Sequence, residues 1–239
     1  MQEWAEQTLP KIMDWIRNIV TEAGARGVIL GLSGGLDSST SCGLLARALG
    51  PDRVLGVAMP CHSISQDFDH ARRVAVTFGV QLTVCDLTET YDALLRHTGP
   101  LDGLAAANIR PRLRMTTLYA LGQQRGYLVC GNGNKAEWMT GYFTKFGDSG
   151  CDFLPLLSFT KTQVRALARA LGVPGEVIDK APSAGLWPGQ TDEAELGVTY
   201  DQVDAWLQGE ELPQEAKLRL EELKKRSAHK RSMPPFFME

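Results

Sequence analysis

The sequence has no apolar run approaching the roughly 18 residues that are needed to cross a membrane. It also lacks an N-terminal basic segment followed by an apolar one, so we expect no signal peptide. The 239 residues carry a formal net charge of −3, which gives no indication of a nucleic-acid or membrane surface. These absences predict a soluble, cytoplasmic protein whose partners are neither nucleic acids nor membranes.

The five cysteines include no C-x-x-C pair, and their odd number favours reduced thiols over a disulfide framework. Cys61-His62 is the only adjacent Cys/His pair, and the sequence offers no further ligands at metal-site spacing. A G-x-S-x-G elbow is also absent, as is any spacing that marks a Ser/His/Asp or Cys/His pair. We therefore expect no side-chain nucleophile.

A turn at residues 33–39, with the sequence SGGLDSS, is the most informative stretch. It joins an apolar strand (28–32) to a helix (36–49), so free helix N–H groups would face a ligand there. Adjacent glycines allow close backbone approach, and an anion is the expected ligand. Asp37 would repel a bare phosphate, but it would fit if a Mg²⁺ ion lay between them. The alternative is an ordinary glycine-rich turn with an N-capping residue.

Apolar strands and amphipathic helices alternate through the first 130 residues. Strands are predicted at 28–32, 54–59, 82–87 and 127–130, and helices at 3–23, 36–49, 67–78, 89–97 and 108–124. This order predicts an α/β, doubly wound parallel sheet with helices on both faces and ligands at the carboxyl ends of its strands. Further helices are predicted at 161–171, 200–207 and 213–227, after a long glycine-rich loop at 141–152.

Residues 131–136 (GNGNKA) match the G-x-G-x-x-[GA] dinucleotide fingerprint. This match leaves a nicotinamide-dependent oxidoreductase open as an alternative. It is weak, because a loop follows where a complete strand-helix-strand unit is needed.

No Walker motif occurs in the chain; S-G-G-x-D-S instead resembles the signature of the ATP pyrophosphatases, which adenylate a substrate and release pyrophosphate. Several stretches together resemble one family, the NAD synthetases. They are residues 31–39, 108–115 (NIRPRLRM), 131–137, 141–148 (GYFTKFGD), 161–164 (KTQV), 182–187 with 190–193 (PSAGLW, QTDE) and 229–230 (HK).

The resemblance implies that deamido-NAD is adenylated by ATP and that ammonia then displaces AMP to give NAD. It also implies a Rossmann-like, five-stranded sheet of the adenine nucleotide alpha hydrolase type. The implied ATP-binding residues are Gly31, Leu32, Ser33, Gly34, Gly35, Leu36, Asp37, Ser38, Asn132, Lys161 and Ser183. The resemblance further implies that Mg²⁺ is held by Asp37 and Glu137. It implies that deamido-NAD is bound by Arg112, Lys145, Asp152, His229 and Lys230. The implied catalytic residues are Asp37, Asp148 and Lys161.

Departures from the family pattern are Asn132 and Ser183, where threonine is common, and Pro111, where alanine is common. About thirty residues precede the phosphate turn, so the resemblance implies one domain over 1–239 with a C-terminal helical extension at about 199–239. It implies no N-terminal glutaminase domain, ammonia as the direct donor and a homodimer. Another adenylating ATP pyrophosphatase, a tRNA-modifying thiolase and a non-catalytic nucleotide-binding module remain as alternatives.

Overall fold

The computed structural model describes residues 1–63, 65–180 and 191–237. In chain order its strands and α-helices are α1 (Gln2–Glu22), β1 (Gly27–Gly31), α2 (Leu36–Leu49), β2 (Val54–Ala58), α3 (Ser65–Phe78), β3 (Gln81–Val84), α4 (Thr88–Thr98), α5 (Gly103–Ala107), α6 (Ile109–Arg125), β4 (Tyr127–Cys130), α7 (Lys135–Thr140), α8 (Lys161–Leu171), α9 (Gly175–Ile178), α10 (Asp192–Leu196), α11 (Tyr200–Gln208) and α12 (Gln214–Arg226). Short 3-10 helices occupy Pro51–Arg53 and Ala228–Lys230. No helix in these ranges has the length and apolar character of a membrane span.

The sheet is parallel throughout its described part, in the order β3-β2-β1-β4. Successive strand residues point to opposite faces, so Val28 and Leu30 join one core and Ile29 joins the other. The first core packs α1, α2, α3 and α8 on one face, and the second packs α4 and α6 on the other. The predicted doubly wound sheet with helices on both faces is confirmed.

The expected count of five strands is wrong for the described residues, which contain a four-stranded sheet. Beyond β4, Phe153 forms a single parallel bridge with Cys130, and its carbonyl accepts from the Gly131 N–H at 2.9 Å. Pro155 has no N–H to continue that ladder, which gives a physical reason for the pairing to stop.

A third core joins the C-terminal helices α11 and α12 to α7 through Tyr200, Val203, Leu220 and Ala136. β2 and β3 lie on one side of β1, whereas β4 pairs with the other side of β1. The order of the strands therefore reverses between β1 and β4. The turns after β1 and β4 therefore meet at the topological switch point, where ligands bind in sheets of this kind.

Candidate active site

The turn after β1 is held in place by its own polar groups. Gly34 has φ 77°, a left-handed conformation that glycine adopts readily. Ser38 Oγ donates to the Gly35 carbonyl at 3.1 Å and accepts from the Ser33 N–H at 3.2 Å. Gly35 caps α2 without a side-chain cap bond, so the interpretation of Asp37 as a simple N-cap is not supported. The start of α2 is left to face the cavity.

Asp37 is instead tied to residues from two distant elements. Its Oδ2 accepts from Lys161 Nζ at 2.6 Å, and its Oδ1 accepts from Asn134 Nδ2 at 3.2 Å. Glu137 Oε1 lies 3.8 Å from the same Lys161 Nζ. The side chain of Lys161 is only 2% exposed. The structure thus brings together Asp37, Glu137 and Lys161, the residues expected at the metal and phosphate positions.

Charge and burial act against each other in this cluster. Burial opposes the charge on Lys161, but the carboxylates of Asp37 and Glu137 outweigh it and raise its pKa. Burial, reinforced by the negative charge of Asp37, raises the pKa of Glu137 to about 8 despite the nearby Lys161. A raised carboxyl pKa in a cavity is a recognised mark of a functional site.

The glycine-containing turn after β4 positions Glu137 in this cluster. Asn134 caps α7 by accepting from the Glu137 N–H at 3.0 Å, while Glu137 Oε2 accepts from the Asn134 N–H at 3.2 Å. The carboxylate of Glu137 therefore occupies the helix N-terminus where a dinucleotide pyrophosphate would bind. Residues 141–152 contain no strand or helix, and the oxidoreductase alternative is not supported.

Asn132, predicted as an ATP contact, also lines this region. Its Nδ2 donates to the Gly31 carbonyl at 2.9 Å. Its Oδ1 is buried without a hydrogen-bond partner in the part of the chain that the structure describes. A buried acceptor without a partner is costly, so a donor group on a ligand would be favourable here.

A second group of predicted residues lies around the loop at 141–152. Arg112 donates to the Lys145 carbonyl at 3.3 Å, and Lys145 Nζ donates to the His229 carbonyl at 2.7 Å. Lys230 Nζ donates to the carbonyls of Gly141 and Phe143 at 2.8 and 2.7 Å. Arg112, Lys145, His229 and Lys230, predicted from separate stretches, therefore lie in one network of side-chain to backbone contacts, the loop network. His229 joins it through its carbonyl, while its ring Nδ1 lies 3.1 Å from the Arg226 carbonyl.

Asp148 sits in the same loop, and burial raises the pKa of its carboxyl group although its Oδ1 accepts from the Thr144 N–H at 2.7 Å. Asp152 lies apart from the cavity lining. Its Oδ2 accepts from the Val129 N–H at 2.7 Å and its Oδ1 from the Tyr119 hydroxyl at 3.0 Å. Ser183, the remaining predicted ATP contact, lies outside the described residues.

Sequence reasoning missed three supporting residues. Asn134 orients both acids, and the spacing from Asn134 to Glu137 is a capping-box signature that could have revealed it. Tyr200 places its ring 4.9 Å from Lys161 Nζ and donates its hydroxyl to Asp192 Oδ2 at 2.8 Å. No local pattern marks this second pair, because α10 and α11 meet α8 only in the folded chain.

A cavity of about 730 Å³ is lined by the turn after β1 and by Asp37, Asn132, Glu137, Asp148, Lys161, Asp192 and Lys230. Arg112, Lys145 and His229 lie outside its lining. Among its described lining residues are six acids (Asp37, Asp67, Glu137, Asp148, Asp192, Glu195) and four cations (Arg114, Lys161, Lys180, Lys230). The cavity holds an excess of carboxylates beside a helix N-terminus. A doubly wound sheet with this cavity at its switch point defines the class as an α/β nucleotide-binding enzyme.

Comparison with known proteins narrows the class. The family model for NAD synthase matches residues 8–234. An NH(3)-dependent NAD(+) synthetase from Carboxydothermus hydrogenoformans is 44% identical over 97% of this chain and 96% of its own length. The structure of an NMN synthetase from Francisella tularensis has 36% identity and a TM-score of 0.94, covering 97% of this chain and 98% of the other. An NH3-dependent NAD synthetase from Campylobacter jejuni has 26% identity and a TM-score of 0.84, covering 98% and 99%.

The chain belongs to the NAD synthase family. The predicted family resemblance is confirmed. The thiolase and the non-catalytic nucleotide-binding module are not supported by these relatives.

Proposed function

We propose that this chain is an ammonia-dependent ligase that converts deamido-NAD to NAD with ATP. The observation that carries the proposal is the meeting of Asp37, Glu137 and Lys161 beside the glycine turn at the switch point. The NH(3)-dependent NAD(+) synthetase relatives support the same reaction.

The reaction has two steps. A carboxylate oxygen of deamido-NAD attacks the α-phosphorus of ATP, and the bond to pyrophosphate breaks. Ammonia then attacks the acyl carbon of the adenylate, AMP leaves and a proton is released. Because two anions must meet in the first step, most of the barrier is alignment and charge repulsion. The chain supplies the turn at residues 31–38 to bind phosphates and the buried ammonium of Lys161 to offset their charge.

We infer that Mg²⁺ accompanies ATP and that Asp37 and Glu137 hold it. The excess of acids in the cavity and the raised pKa of Glu137 both favour a cation. Asp192 Oδ1 is buried there with no hydrogen-bond partner among the described residues. In the described ranges, no three His, Cys, Asp or Glu side chains form a metal-binding group. Mg²⁺ usually takes one or two carboxylates together with substrate phosphates, so Asp37 and Glu137 would be enough. The ion would neutralise phosphate charge.

We propose that the loop network binds deamido-NAD. The ammonium groups of Lys145 and Lys230 donate to carbonyl oxygens, so those bonds leave their positive charge unneutralised. Arg112 and His229 lie in the same network, which suits the diphosphate of a dinucleotide. Asp152 is proposed to act on deamido-NAD binding indirectly. It holds the Val129 N–H in β4, and the end of β4 lines the cavity. Asp148, an acid of the cavity lining with a raised pKa, would take a proton from ammonium.

We propose one catalytic domain, because α11 and α12 pack on α7, which carries Glu137. We also propose a homodimer, supported by the exposed side chains of Leu94, Leu101 and Leu104 on and between α4 and α5. A cytoplasmic location is consistent with five free cysteines. Light scattering after size exclusion would test the dimer, and a monomer at micromolar concentration would contradict it.

A second candidate substrate is deamido-NMN, because the F. tularensis structure with a TM-score of 0.94 is an NMN synthetase. Both substrates present the same nicotinate carboxylate. One experiment decides between them: ATP, Mg²⁺ and ammonium are incubated with each substrate, and the products are separated by chromatography. We expect NAD, AMP and pyrophosphate in equal amounts from deamido-NAD, at a higher kcat/KM than NMN from deamido-NMN. The reverse order would make the chain an NMN synthetase, and no amide from either would refute the proposal.

A further inference from the structure

Lys180 is a cation of the cavity to which the reaction proposed above gives no role. It follows α9, and its ammonium forms an ion pair with Asp67 in the first turn of α3. The two side chains are 30% and 27% exposed, and both residues line the cavity that contains Asp37 and Ser38. The pair is therefore open to the space that a nucleotide would fill.

The ion pair lies directly beside the phosphate turn. A Cβ atom built on Gly34 would collide with the Asp67 carbonyl, and it would stand 2.8 Å from the Ala71 nitrogen and from His70 Cβ. The first turns of α3 therefore pack against the turn backbone, and Asp67 holds the Lys180 ammonium at the edge of the turn.

The other cations lining the described part of the cavity have partners that fix them elsewhere. Lys161 is 2% exposed and lies between the two proposed metal ligands. Arg114 donates to the Met59 carbonyl at 3.2 Å, and Lys230 donates to two carbonyls of the loop. The partner of Lys180 is the partly exposed carboxylate of Asp67, which water or a phosphate can replace without burying an unpaired charge.

We propose that Lys180 binds the β- and γ-phosphates of ATP by exchanging Asp67 for phosphate oxygens, and that Asp67 competes with ATP for this ammonium. The inference rests on the proposed function, because it assigns a second cation, besides Lys161, that offsets charge on the leaving pyrophosphate. A lysine ammonium is a common phosphate ligand, and a charge-assisted bond to phosphate is stronger than a neutral one.

The test compares ligands with and without the terminal phosphates. Binding of ATP, inorganic pyrophosphate and AMP to the full-length protein is measured by calorimetry at fixed Mg²⁺. We expect Lys180→Ala to weaken ATP and pyrophosphate by about ten- to a hundredfold, as for loss of one charged hydrogen bond, and AMP by less than about twofold. Lys180→Arg should keep most of the ATP affinity. Equal weakening of ATP and AMP, or unchanged ATP binding in Lys180→Ala, would overturn the inference.

Asp67→Asn should change ATP affinity in the opposite direction to Lys180→Ala. If Asp67 competes for the ammonium, Asp67→Asn strengthens ATP binding, and most of the gain disappears in the Lys180→Ala background. If the ion pair only stabilises the position of α3, both single variants weaken ATP binding, and the inference fails. A gain that persists without Lys180 reflects simple charge repulsion and also overturns it. If the wild-type protein makes NAD but the variants do not behave as expected, only the role of Lys180 is refuted and the proposed function stands. If the wild-type protein does not bind ATP, the proposed function and the role of Lys180 are both refuted.

Discussion

The two halves of the cavity use their charged side chains differently. In the phosphate half, formed by residues 31–38, 132–137 and Lys161, charged groups face each other: Lys161 meets Asp37 and Glu137. In the loop half, formed by residues 141–152 and 228–231, lysine ammonium groups donate to backbone carbonyls. In the first half, the carboxyl groups of Asp37 and Glu137 therefore repel each other when both are charged, and a bound cation would reduce that repulsion. The second uses its cations to hold its own backbone. Function and stability should consequently separate in the phosphate half and coincide in the loop half.

Asp37→Asn should produce the largest loss. Asparagine keeps the size of the side chain and an oxygen that can accept from Asn134, but it removes the charge proposed to hold Mg²⁺. We expect kcat/KM for ATP to fall by about 10²- to 10³-fold. Unfolding free energy should fall by no more than about 1 kcal/mol, because Glu137 can ionise beside Lys161 instead. Steady-state kinetics and urea unfolding measure the two quantities.

The matched control for this variant is Asp86→Asn. Asp86 is exposed and accepts from the Thr88 N–H at 2.8 Å, away from the cavity lining. It should leave kcat/KM unchanged. Turnover of Asp37→Asn within about tenfold of wild type would contradict the metal role and with it the division of the cavity into two halves.

Asp148→Asn should give the next largest effect, confined to one substrate. The carboxyl group of Asp148 is proposed to take a proton from ammonium, and asparagine cannot accept it. We expect the KM for ammonia to rise by about tenfold or more and the KM for ATP to change by less than about twofold. Because burial raises the pKa of Asp148, wild-type activity should increase with pH as this group ionises, and the variant should lose that step. Equal changes in both KM values would contradict the assignment.

The phosphate half was largely predictable because its signals are local. A strand, two glycines and a helix follow each other within a dozen residues, and the apolar periodicity places the turn at a sheet edge. Glu137 follows the fourth strand as a second acid at the same sheet edge, and the capping-box spacing from Asn134 also marks it. The pairing of Asp37 with Lys161 crosses 124 residues, so no local pattern could reveal it.

The loop half shows the opposite case. Its residues were named by resemblance, while the bonds that hold them are side chain to backbone and join segments 84 to 89 residues apart. Backbone acceptors carry no residue-type signal, which explains why spacing could not predict them. The missing fifth strand has a similar cause: apolar residues around Phe153 suit a strand, but a single bridge forms before Pro155.

Glu137→Gln tests whether crowding lowers stability in the phosphate half. The carboxyl pKa rises from 4.5 to about 8 in the folded chain. The protonated group therefore contributes stability that is fully present below pH 4.5 and is lost as pH rises through about 8. Glutamine stays neutral, so we expect the variant to gain about 1 to 3 kcal/mol relative to wild type between pH 6 and 9. Urea unfolding in EDTA without nucleotide measures this, and a pH-independent difference would contradict it.

Lys230→Met should give the smallest effect and the opposite coupling. Methionine keeps the apolar stem but removes the donor to the carbonyls of Gly141 and Phe143. We expect unfolding free energy to fall by about 1 to 2 kcal/mol and the KM for deamido-NAD to rise about threefold or more. Lys225→Met on the exposed side of α12 removes the same charge and should change neither. If Lys230→Met weakened binding without lowering stability, the loop half would resemble the phosphate half, and the contrast between them would be lost.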